Sequence, residues 1–451
     1  MFRRMYREED GAITVLALFL FVATCALLGI ALDVANAYRT RTKLQVAADT
    51  GGHAALYMRA GRYFSEDDAK QVGVTIAAEN LDLDPLNTTI GVDDIEFGDW
   101  NRQTRTFTPR PGSYNAVRVI ATKSRDRRNQ LDTFLLGFAG LRYWNISTHA
   151  VVETFRPGCL REGMVAEGVL DIQSNNGFAA NFCLHSNTYI SINQNNFFEP
   201  GSIVSMPNLD LLDIAASGFE RNEGLEEALM TDFYDIHVPG RIDFFQQQIL
   251  AGNTEFLPDY IDVLTVTELD GDTFTASDFV PGSMYRFTCE KTVTKGKTTE
   301  TVAVDRLTLR TGENEDGTVA NISEVVLFAD CPVQFEQGLT LMDTVFFNDS
   351  TDPYSFTAPH GLNVGDDDGC SPGGGAQLLT LGGMRFAAEL GLFGGQLIAQ
   401  GDIQFAARAG AVEGASIVSG GEIDGTSNAT MGYCSTGMED NFEVDYFRIV
   451  E

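Results

Sequence analysis

The sequence predicts a mainly β protein with an N-terminal transmembrane α-helix, a stem with a small α+β module, and a parallel β-solenoid (β-helix-like) domain with a helical insertion. Three observations predict this fold class. Residues 12–32 form an uncharged apolar run, helix and strand signals follow one another between residues 65 and 157, and short apolar segments recur at a period near twenty in the remainder. Each repeat unit is too small to bury its own apolar side chains, so such units stack into one continuous core.

The first predicted element is a membrane helix. At about 1.5 Å rise per residue, a helix over residues 12–32 spans roughly 30 Å, the hydrocarbon thickness of a bilayer. Residues 1–11 precede it as a charged leader, predicted to be cytoplasmic. Residues 33–64 continue the helical pattern as a stalk with a narrow face of mostly small residues, which suits close helix packing.

The fate of the N-terminus has three interpretations. Ala35-Asn36-Ala37 is similar to a secretory cleavage site, but the apolar run exceeds the usual length of roughly 7–15 residues. Cleavage after Gly11 by a prepilin peptidase is the second, although Leu16 stands where type IV prepilins usually have Glu. An uncleaved anchor is favoured. Basic residues flank the run almost equally, so the orientation is inferred from the bulk of the chain, which we expect outside the cytoplasm.

The N-terminal third of the chain resembles the TadE/TadG-like proteins of tight-adherence (Flp) pilus assembly, and TadG most closely. The residues that carry the resemblance are DGAI at 10–13, the apolar run, ALDVA at 31–35, Tyr38, LQVAAD at 44–49, FGDW at 97–100 and NAVRV at 115–119. Some TadG-like proteins have a von Willebrand type A domain with an Asp-x-Ser-x-Ser metal motif. That motif is absent from this sequence, so its metal site is not carried over.

The resemblance implies a membrane-anchored, pilin-like structural or accessory component of a Tad/Flp pilus assembly or surface adhesion system. Such a protein is expected in the bacterial inner membrane with a single pass, and with the bulk of its chain periplasmic or at the cell surface. Its expected partners are the membrane and other pilus or envelope assembly proteins. The oligomeric state stays open.

Residues 65–157 are predicted to form a pilin-like α+β module. Ser65 is a helix N-cap with Asp68 three residues later, so a helix is expected to about Asn80. Strand signals follow around residues 95–97, 106–107, 116–120 and 148–154. A helix on a small antiparallel sheet is the expected arrangement.

The first solenoid rungs are predicted over residues 158–206. DIQSNN at 171–176 recurs twenty residues later as SINQNN at 191–196. The predicted ladder consists of equivalent inward and stacked positions on neighbouring rungs: Ile172, Asn175, Asn176, Ile192, Asn195 and Asn196. Further on, VVL at 325–327 matches VFF at 345–347, again at an offset of twenty. The alternative is that glycine-rich strands of an ordinary β-sandwich match by chance.

The repeat is interrupted in the middle of the chain. Leucine spacing over residues 207–261 predicts a helical insertion, with Pro239-Gly240 and Gly252 as breaks. Residues 262–451 are predicted to be a strand-rich region and the remaining rungs, with a polar hairpin tip at residues 291–297.

Charge and cysteine usage limit the function. The chain has 63 acidic against 31 basic residues, net −32, which argues against binding to nucleic acid or docking onto anionic lipid. Cys25 lies in the apolar run. The candidate disulfide cysteines are Cys159, Cys183, Cys289, Cys331, Cys370 and Cys434. An even number of widely spaced cysteines favours an oxidising compartment. Cys370–Cys434 and Cys289–Cys331 are the expected pairs, and six reduced thiols are the alternative.

No catalytic motif is recognised in the sequence. The five histidines have no metal-type spacing, and neither a Gly-x-Ser-x-Gly elbow nor a phosphate-binding loop is present. Acidic stretches at 270–272, 313–316 and 366–368 offer oxygen ligands for Ca²⁺, although solvated turns explain them better. We therefore expect no enzyme activity and no cofactor apart from this Ca²⁺ possibility. The alternative function is an envelope polysaccharide-binding or polysaccharide-cleaving β-helix protein, since the fold class alone does not decide between the two.

Overall fold

The computed structural model describes residues 10–60, 64–81, 88–295, 298–313, 317–425 and 428–451. The chain divides into two compact units. We call Met1–Phe155 with Asp445–Glu451 the stem unit, and Arg156–Val444 the solenoid unit.

The helices are α1 Asp10–Ala60, α2 Glu66–Glu79, α3 Gly158–Arg161, α4 Leu225–Ala228 and α5 Ile242–Leu250. The strands of the first half are β1 Ile95–Asn101, β2 Thr106–Pro109, β3 Ala116–Lys123, β4 Leu131–Asp132, β5 Tyr143–Trp144, β6 Ile146–Phe155, β7 Gly163–Ala166, β8 Leu170–Ile172, β9 Gly177–Phe178, β10 Cys183–Ser186, β11 Ile190–Ile192, β12 Asn196–Phe198, β13 Ile203–Met206, β14 Asp213–Ile214, β15 Asn222–Glu223 and β16 Leu229–Thr231. The strands of the second half are β17 Val266–Leu269, β18 Thr273–Thr275, β19 Ser283–Phe287, β20 Glu290–Lys295, β21 Thr298–Ala303, β22 Leu307–Arg310, β23 Gly312–Glu313, β24 Val319–Ala320, β25 Ile322–Ala329, β26 Val333–Phe335, β27 Leu339–Asn348, β28 Phe356–Ala358, β29 Leu362–Val364, β30 Ala376–Thr380, β31 Met384–Phe393, β32 Gln396–Ala399, β33 Ile403–Glu413, β34 Ser416–Ser419, β35 Ile423–Asp424, β36 Thr430–Gly432 and β37 Tyr446–Ile449.

Helix α1 begins as an apolar helix with exposed side chains and ends as a buried helix of the stem unit. Large apolar residues between Ile13 and Leu32 are mostly exposed, and one face becomes buried from Leu44 to Leu56. The part described from residue 13 is long and apolar enough to cross a membrane. Helix α2 begins at the predicted cap, where the Ser65 hydroxyl accepts the Asp68 N–H at 3.2 Å.

The stem sheet has the antiparallel order β2-β1-β3-β6-β37. The predicted strands are confirmed, but the last one comes from the C-terminus. Tyr446 pairs with Phe155, and Ile449 with Val152. The expectation that residues 262–451 belong wholly to the solenoid region is therefore wrong at its end. The residue pattern of a short strand can indicate that it is a strand. It does not indicate the partner strand, because the partner is set by long-range contacts.

The solenoid unit is a parallel β-solenoid, as predicted. Its 26 strands form one connected sheet, with successive strands of a rung pairing with their equivalents on the neighbouring rung. At the first repeat the register is the predicted one: Ile172 faces Ile192 and Cys183 faces Ile203. Inward residues such as Leu170 and Ile190 belong to one large apolar core.

The rungs are not stacked in chain order. Strands β34, β35 and β36, the last rung in the sequence, pair in parallel with β7, β8 and β9, the first rung. The rungs that precede residue 232 and the rungs that follow residue 265 therefore meet inside the stack. The stack ends at β16 on one side and β17 on the other.

A strap over residues 232–265 connects these two ends. Asn187 donates to the carbonyl of Tyr234 at 2.6 Å, Gln400 to that of Pro239 at 3.2 Å, and Gln246 to Asp349 at 3.1 Å. These contacts lie on successive parts of the stack, so the strap runs along it. The segment at Asn441 and Phe442 lies over the same strands, since these residues accept hydrogen bonds from Gln377 and Gln396. The strap and this segment together explain why strands such as β30 and β32 are buried along their whole length.

The helical insertion predicted over residues 207–261 is wrong in its first half. Strands β14, β15 and β16 continue the rungs to Thr231, and the one helix of some length in this region is α5. Leu209, Leu212 and Ile214 pack against the solenoid core. A short apolar run has no unique period, so it suits a helix and a rung equally.

The predicted match of residues 325–327 with residues 345–347, at an offset of twenty, is also wrong. Val326, and not Val325, faces Val345 on the neighbouring rung.

Disulfides join Cys159 to Cys183, Cys289 to Cys331 and Cys370 to Cys434. The last two are the expected pairs. The loops closed are 24, 42 and 64 residues long in sequence separation. All three lie in the solenoid unit, and Cys25 is free. Cross-links of this kind stabilise mainly by restricting the unfolded chain, typically by about 2–4 kcal/mol each.

The predicted asparagine ladder is present. Asn195 donates to the Asn175 side chain at 3.3 Å, and the side-chain oxygen of Asn196 accepts the Asn176 N–H at 2.9 Å. The ladder extends further in both directions, because Asn175 donates to Asn428 and Asn222 accepts the Asn196 N–H. Asn175 and Asn195 both have φ of 64°, a left-handed corner conformation that Asn tolerates better than most residues.

Replacing Ile192 by Asp should unfold the solenoid unit. Ile192 is 1% exposed in the apolar core, so Ile192→Asp places an unpaired carboxylate there at a cost of several kcal/mol. Asn193 is half-buried and its side chain donates outward to Gln173, so Asn193→Asp should cost far less. Urea unfolding of the full chain in detergent, followed by circular dichroism, measures both. Equal midpoints for the two variants would contradict the rung register.

Candidate functional site

The candidate functional site of the stem unit is the junction between α1 and the sheet. The face of α1 that meets the sheet and α2 is built from small residues. A Cβ on Gly51 would lie 2.9 Å from both the Ala77 Cβ and the Gly73 carbonyl oxygen. A Cβ on Gly52 would lie 3.1 Å from Val152, a residue of β6. This close approach holds the same helix that carries the apolar run firmly on the stem core.

A second contact holds α1 nearer its apolar run. Asp33 is 3% exposed, and its carboxylate accepts the backbone N–H groups of Phe134, Leu135 and Leu136 at 2.6, 3.0 and 2.8 Å. Carboxylates that accept several N–H bonds are strongly held. Asp33 lies in a motif of the family resemblance, but its partners lie a hundred residues away, so no local signal identifies them.

A shallow polar depression lies on the stem sheet, lined by Asp99, Trp100, Asn101, Arg102, Gln103, Asn115, Glu153 and Thr154. Glu153 is 3% exposed and binds Arg102 at 3.0 Å and Arg448 at 2.6 Å. Since Arg448 belongs to β37, this ion pair fastens the C-terminal strand. The hydrogen bond from Arg110, together with Ser113 and Asn115, lowers the pKa of Asp99 to about 2. Asp99 therefore stays ionised near neutral pH, and Glu153 is held between two arginines, so both carboxylates organise the surface.

The described residues of the solenoid unit bring one group of possible metal ligands together, namely Cys289, Asp330 and Cys331. The two cysteines form a disulfide, so they supply no thiolate. In the acidic stretches, Asp272 pairs with Lys291 at 2.7 Å, and Asp368 accepts the Ser371 N–H at 2.9 Å. Residues 314–316 lie outside the described residues. Ca²⁺ binding stays a prediction.

Buried carboxyl and phenol groups in the solenoid unit have raised pKa values. Burial, followed by the charge of Asp343, raises the pKa of Asp440 and of Tyr260. The Tyr260 hydroxyl has no hydrogen-bond partner among the described residues. Glu162 is 1% exposed and its pKa is raised by burial, an effect opposed by the N–H groups of Cys434 and Ser435 that it accepts.

His185 is a buried histidine under the strap. It is fully buried, with Nδ1 at 2.7 Å from the Ser205 hydroxyl and Nε2 at 2.9 Å from the Asn187 side-chain oxygen. The Tyr234 ring lies 4.3 Å from the imidazole. Burial lowers the pKa of His185, so it stays neutral when the exposed unfolded residue would bind a proton. The cysteines and ladder residues were found from sequence, whereas His185 has no sequence signal beyond an apolar setting.

The lowered pKa of His185 predicts acid sensitivity. The neutral buried imidazole contributes stability that is complete above about pH 6.5, the ordinary pKa, and is lost as the pH falls toward the lower folded value. His185→Gln should therefore flatten the fall in the free energy of unfolding between neutral and mildly acidic pH. His360→Gln, at an exposed position, is the control and should leave the slope unchanged. The same slope in all three proteins would contradict the prediction. The raised pKa of Glu162 acts with the opposite sign, because that group favours the folded state more as the pH falls.

Family models match three segments of the chain. Residues 11–60 match "Putative Flp pilus-assembly TadE/G-like", and residues 51–151 match "Putative Tad-like Flp pilus-assembly". Residues 163–435 match "Domain of unknown function (DUF7867)". The first two models cover α1 and most of the stem unit, and the third covers nearly all of the solenoid unit. The resemblance seen in the sequence is thereby confirmed for the TadE/G-like family.

No curated protein gives a significant match to the chain. Among solved structures, one match is the crystal structure of an ice binding protein from an Antarctic Biological Consortium. It is 10% identical, covers 62% of this chain and 90% of that chain, and has a TM-score of 0.20. A similarity of this size supports no statement about fold or function.

The third model covers more than half of the chain, and the first two identify what precedes it. The chain is therefore a member of the DUF7867 family with a TadE/G-like N-terminal region, and it is a membrane protein related to Flp pilus assembly.

Proposed function

We propose that the protein is a single-pass inner-membrane protein that acts as a structural or accessory component of Tad/Flp pilus assembly or surface adhesion, without enzyme activity. The observation that carries this proposal is the continuity of α1. Its 51 residues run without a break from the apolar segment into the core of the stem unit. An anchor joined to a folded module by one helix transmits position and force, because no flexible linker intervenes.

The distribution of charge supports a location of the solenoid unit away from the membrane surface. Residues 156–444 contain 12 Lys and Arg against 43 Asp and Glu, a formal charge of −31. The stem unit contains 19 Lys and Arg against 20 Asp and Glu, a formal charge of −1. Anionic lipid repels an acidic unit and tolerates a neutral one. The acidity found in the whole chain is thus a property of the solenoid unit alone.

The cysteines support an exported position. Six of the seven form disulfides in the solenoid unit, and such bonds persist in oxidising compartments such as a periplasm.

The outward amides support a structural role for the rungs. Asn175, Asn195 and Asn193 bond to amides of neighbouring rungs and so stabilise the stack along its length.

Cell fractionation tests the location. The full chain should be found with the inner membrane, should resist extraction at alkaline pH, and should be cut by protease added to spheroplasts. Non-reducing and reducing gels should differ in mobility. A protein released by alkali, or one protected from protease in intact spheroplasts, would refute the anchored and exported arrangement.

Loss of the gene should abolish pilus assembly or surface attachment, and complementation distinguishes the two function classes. Ile192→Asp should fail to complement because it unfolds the solenoid unit, whereas Asn193→Asp should complement. Turnover of an acidic polysaccharide by the purified protein, lost in a folded variant such as Asp424→Asn on an exposed strand position, would establish the polysaccharide enzyme instead.

A further inference from the structure

A hairpin of the stem unit ends in an exposed apolar tip. Strands β4 and β5 pair through Leu131–Trp144, and the tip is the sequence FLLGFAGL at residues 134–141. Phe134 is 68% exposed, Leu141 58% and Leu135 41%. Thr133 closes the tip by donating to the Leu141 carbonyl at 2.6 Å. Three large apolar side chains exposed together at one tip of a folded unit mark a contact with a partner or a membrane.

The tip is attached to α1 at the end of the apolar run. A Cβ on Gly29 would lie 2.8 Å from the Cβ of Leu135, so the two elements are in direct contact. Asp33 accepts three N–H groups of the tip, as described above. Gly29 lies three residues before the last residue of the run, roughly 5 Å along the helix axis. The tip is therefore fixed beside the last turn of the segment that crosses the membrane.

Aromatic and basic residues surround the base of the hairpin. Tyr143 and Trp144 form β5, and the Arg125 guanidinium donates to the Tyr143 hydroxyl at 3.2 Å. Basic residues predominate in the adjoining segments: Lys123, Arg125, Arg127, Arg128 and Arg142, with Arg39, Arg41 and Lys43 on α1. Apolar side chains flanked by aromatic and basic ones are the composition of a protein surface that meets a membrane interface.

We propose that this tip inserts Phe134, Leu135 and Leu141 among the lipid acyl chains of the leaflet that faces the stem unit, beside α1. This inference rests on the proposed membrane anchoring and adds a second point of contact with the bilayer. Two points of contact fix the rotation of α1 about its own axis, which a single helix leaves free. The high negative charge of the chain is no objection, because that charge belongs to the solenoid unit.

Fluorophore labelling at single cysteines tests the depth of the tip. The native Cys25 labels the apolar run itself. In a Cys25→Ala background, Phe134→Cys and Leu141→Cys label the tip, and both side chains are exposed, so the Asp33 contacts to the backbone remain. Gln103→Cys, exposed in the turn between β1 and β2, is the matched control. The full-length proteins are reconstituted in phosphatidylethanolamine and phosphatidylglycerol vesicles that contain nitroxide lipids with shallow or deep labels.

Labels at 134 and 141 should show blue-shifted emission and stronger quenching by shallow than by deep nitroxides, as for a group about 5–10 Å below the surface. The Cys25 label should be quenched better by deep nitroxides, and the Gln103→Cys label by neither. Quenching at Cys25 without quenching at 134 or 141 would overturn the insertion and leave the anchor intact. Disulfide cross-linking of Phe134→Cys between two copies, with the tip unquenched, would also overturn it, because the apolar tip would then contact a second chain. Absence of quenching at Cys25 would refute the anchored function itself.

Discussion

Stacking is the constraint on which the solenoid unit depends. A rung contributes a few apolar side chains, such as Leu170 and Ile172, that are buried only when the next rung covers them. The same stacking places Asn175 above Asn195 and aligns Phe178 with Phe198 at 4.8 Å between ring centres. Disulfides then fix points along the stack without creating it. The strap adds a contribution that stacking does not make, because it runs along the stack and joins its two ends.

The stem unit is organised by α1. One helix supplies the apolar run, the carboxylate that holds the hairpin, and the glycine face that contacts α2 and the sheet. The position of the hairpin is thereby set by the helix that carries the apolar run. The uneven distribution of charge fits this organisation, since the unit attached to the apolar run is nearly neutral and the other is strongly acidic. The net charge of a whole chain does not predict how each unit interacts with a membrane when the charges of its two units differ this much.

Features with a local signal were predictable from the sequence. The apolar run, the Ser65 cap and the rung repeat at residues 171–196 each depend on residues close together in the chain, and each is present. Features that depend on distant partners were not. Nothing near residues 446–449 shows that they complete the stem sheet, and nothing near residues 416–432 shows that they pair with the first rung. The leucines at 209–212 fit a helix and a solenoid rung equally well, because a short apolar run has no unique period. The Asp33 contact and the packing of Tyr234 against His185 were unpredictable for the same reason, since each joins residues far apart in the chain.

The placement of β37 and of the last rung has a consequence for the order in which the chain is made. The edge of β6 is covered by residues 446–449, and the edge of the first rung by residues 416–432, so both edges are exposed until the end of synthesis. An unpaired strand edge is a template for pairing with another chain. The earliest parts of this protein to emerge are thus completed by the last, and a chain truncated near its C-terminus would leave both units open at once.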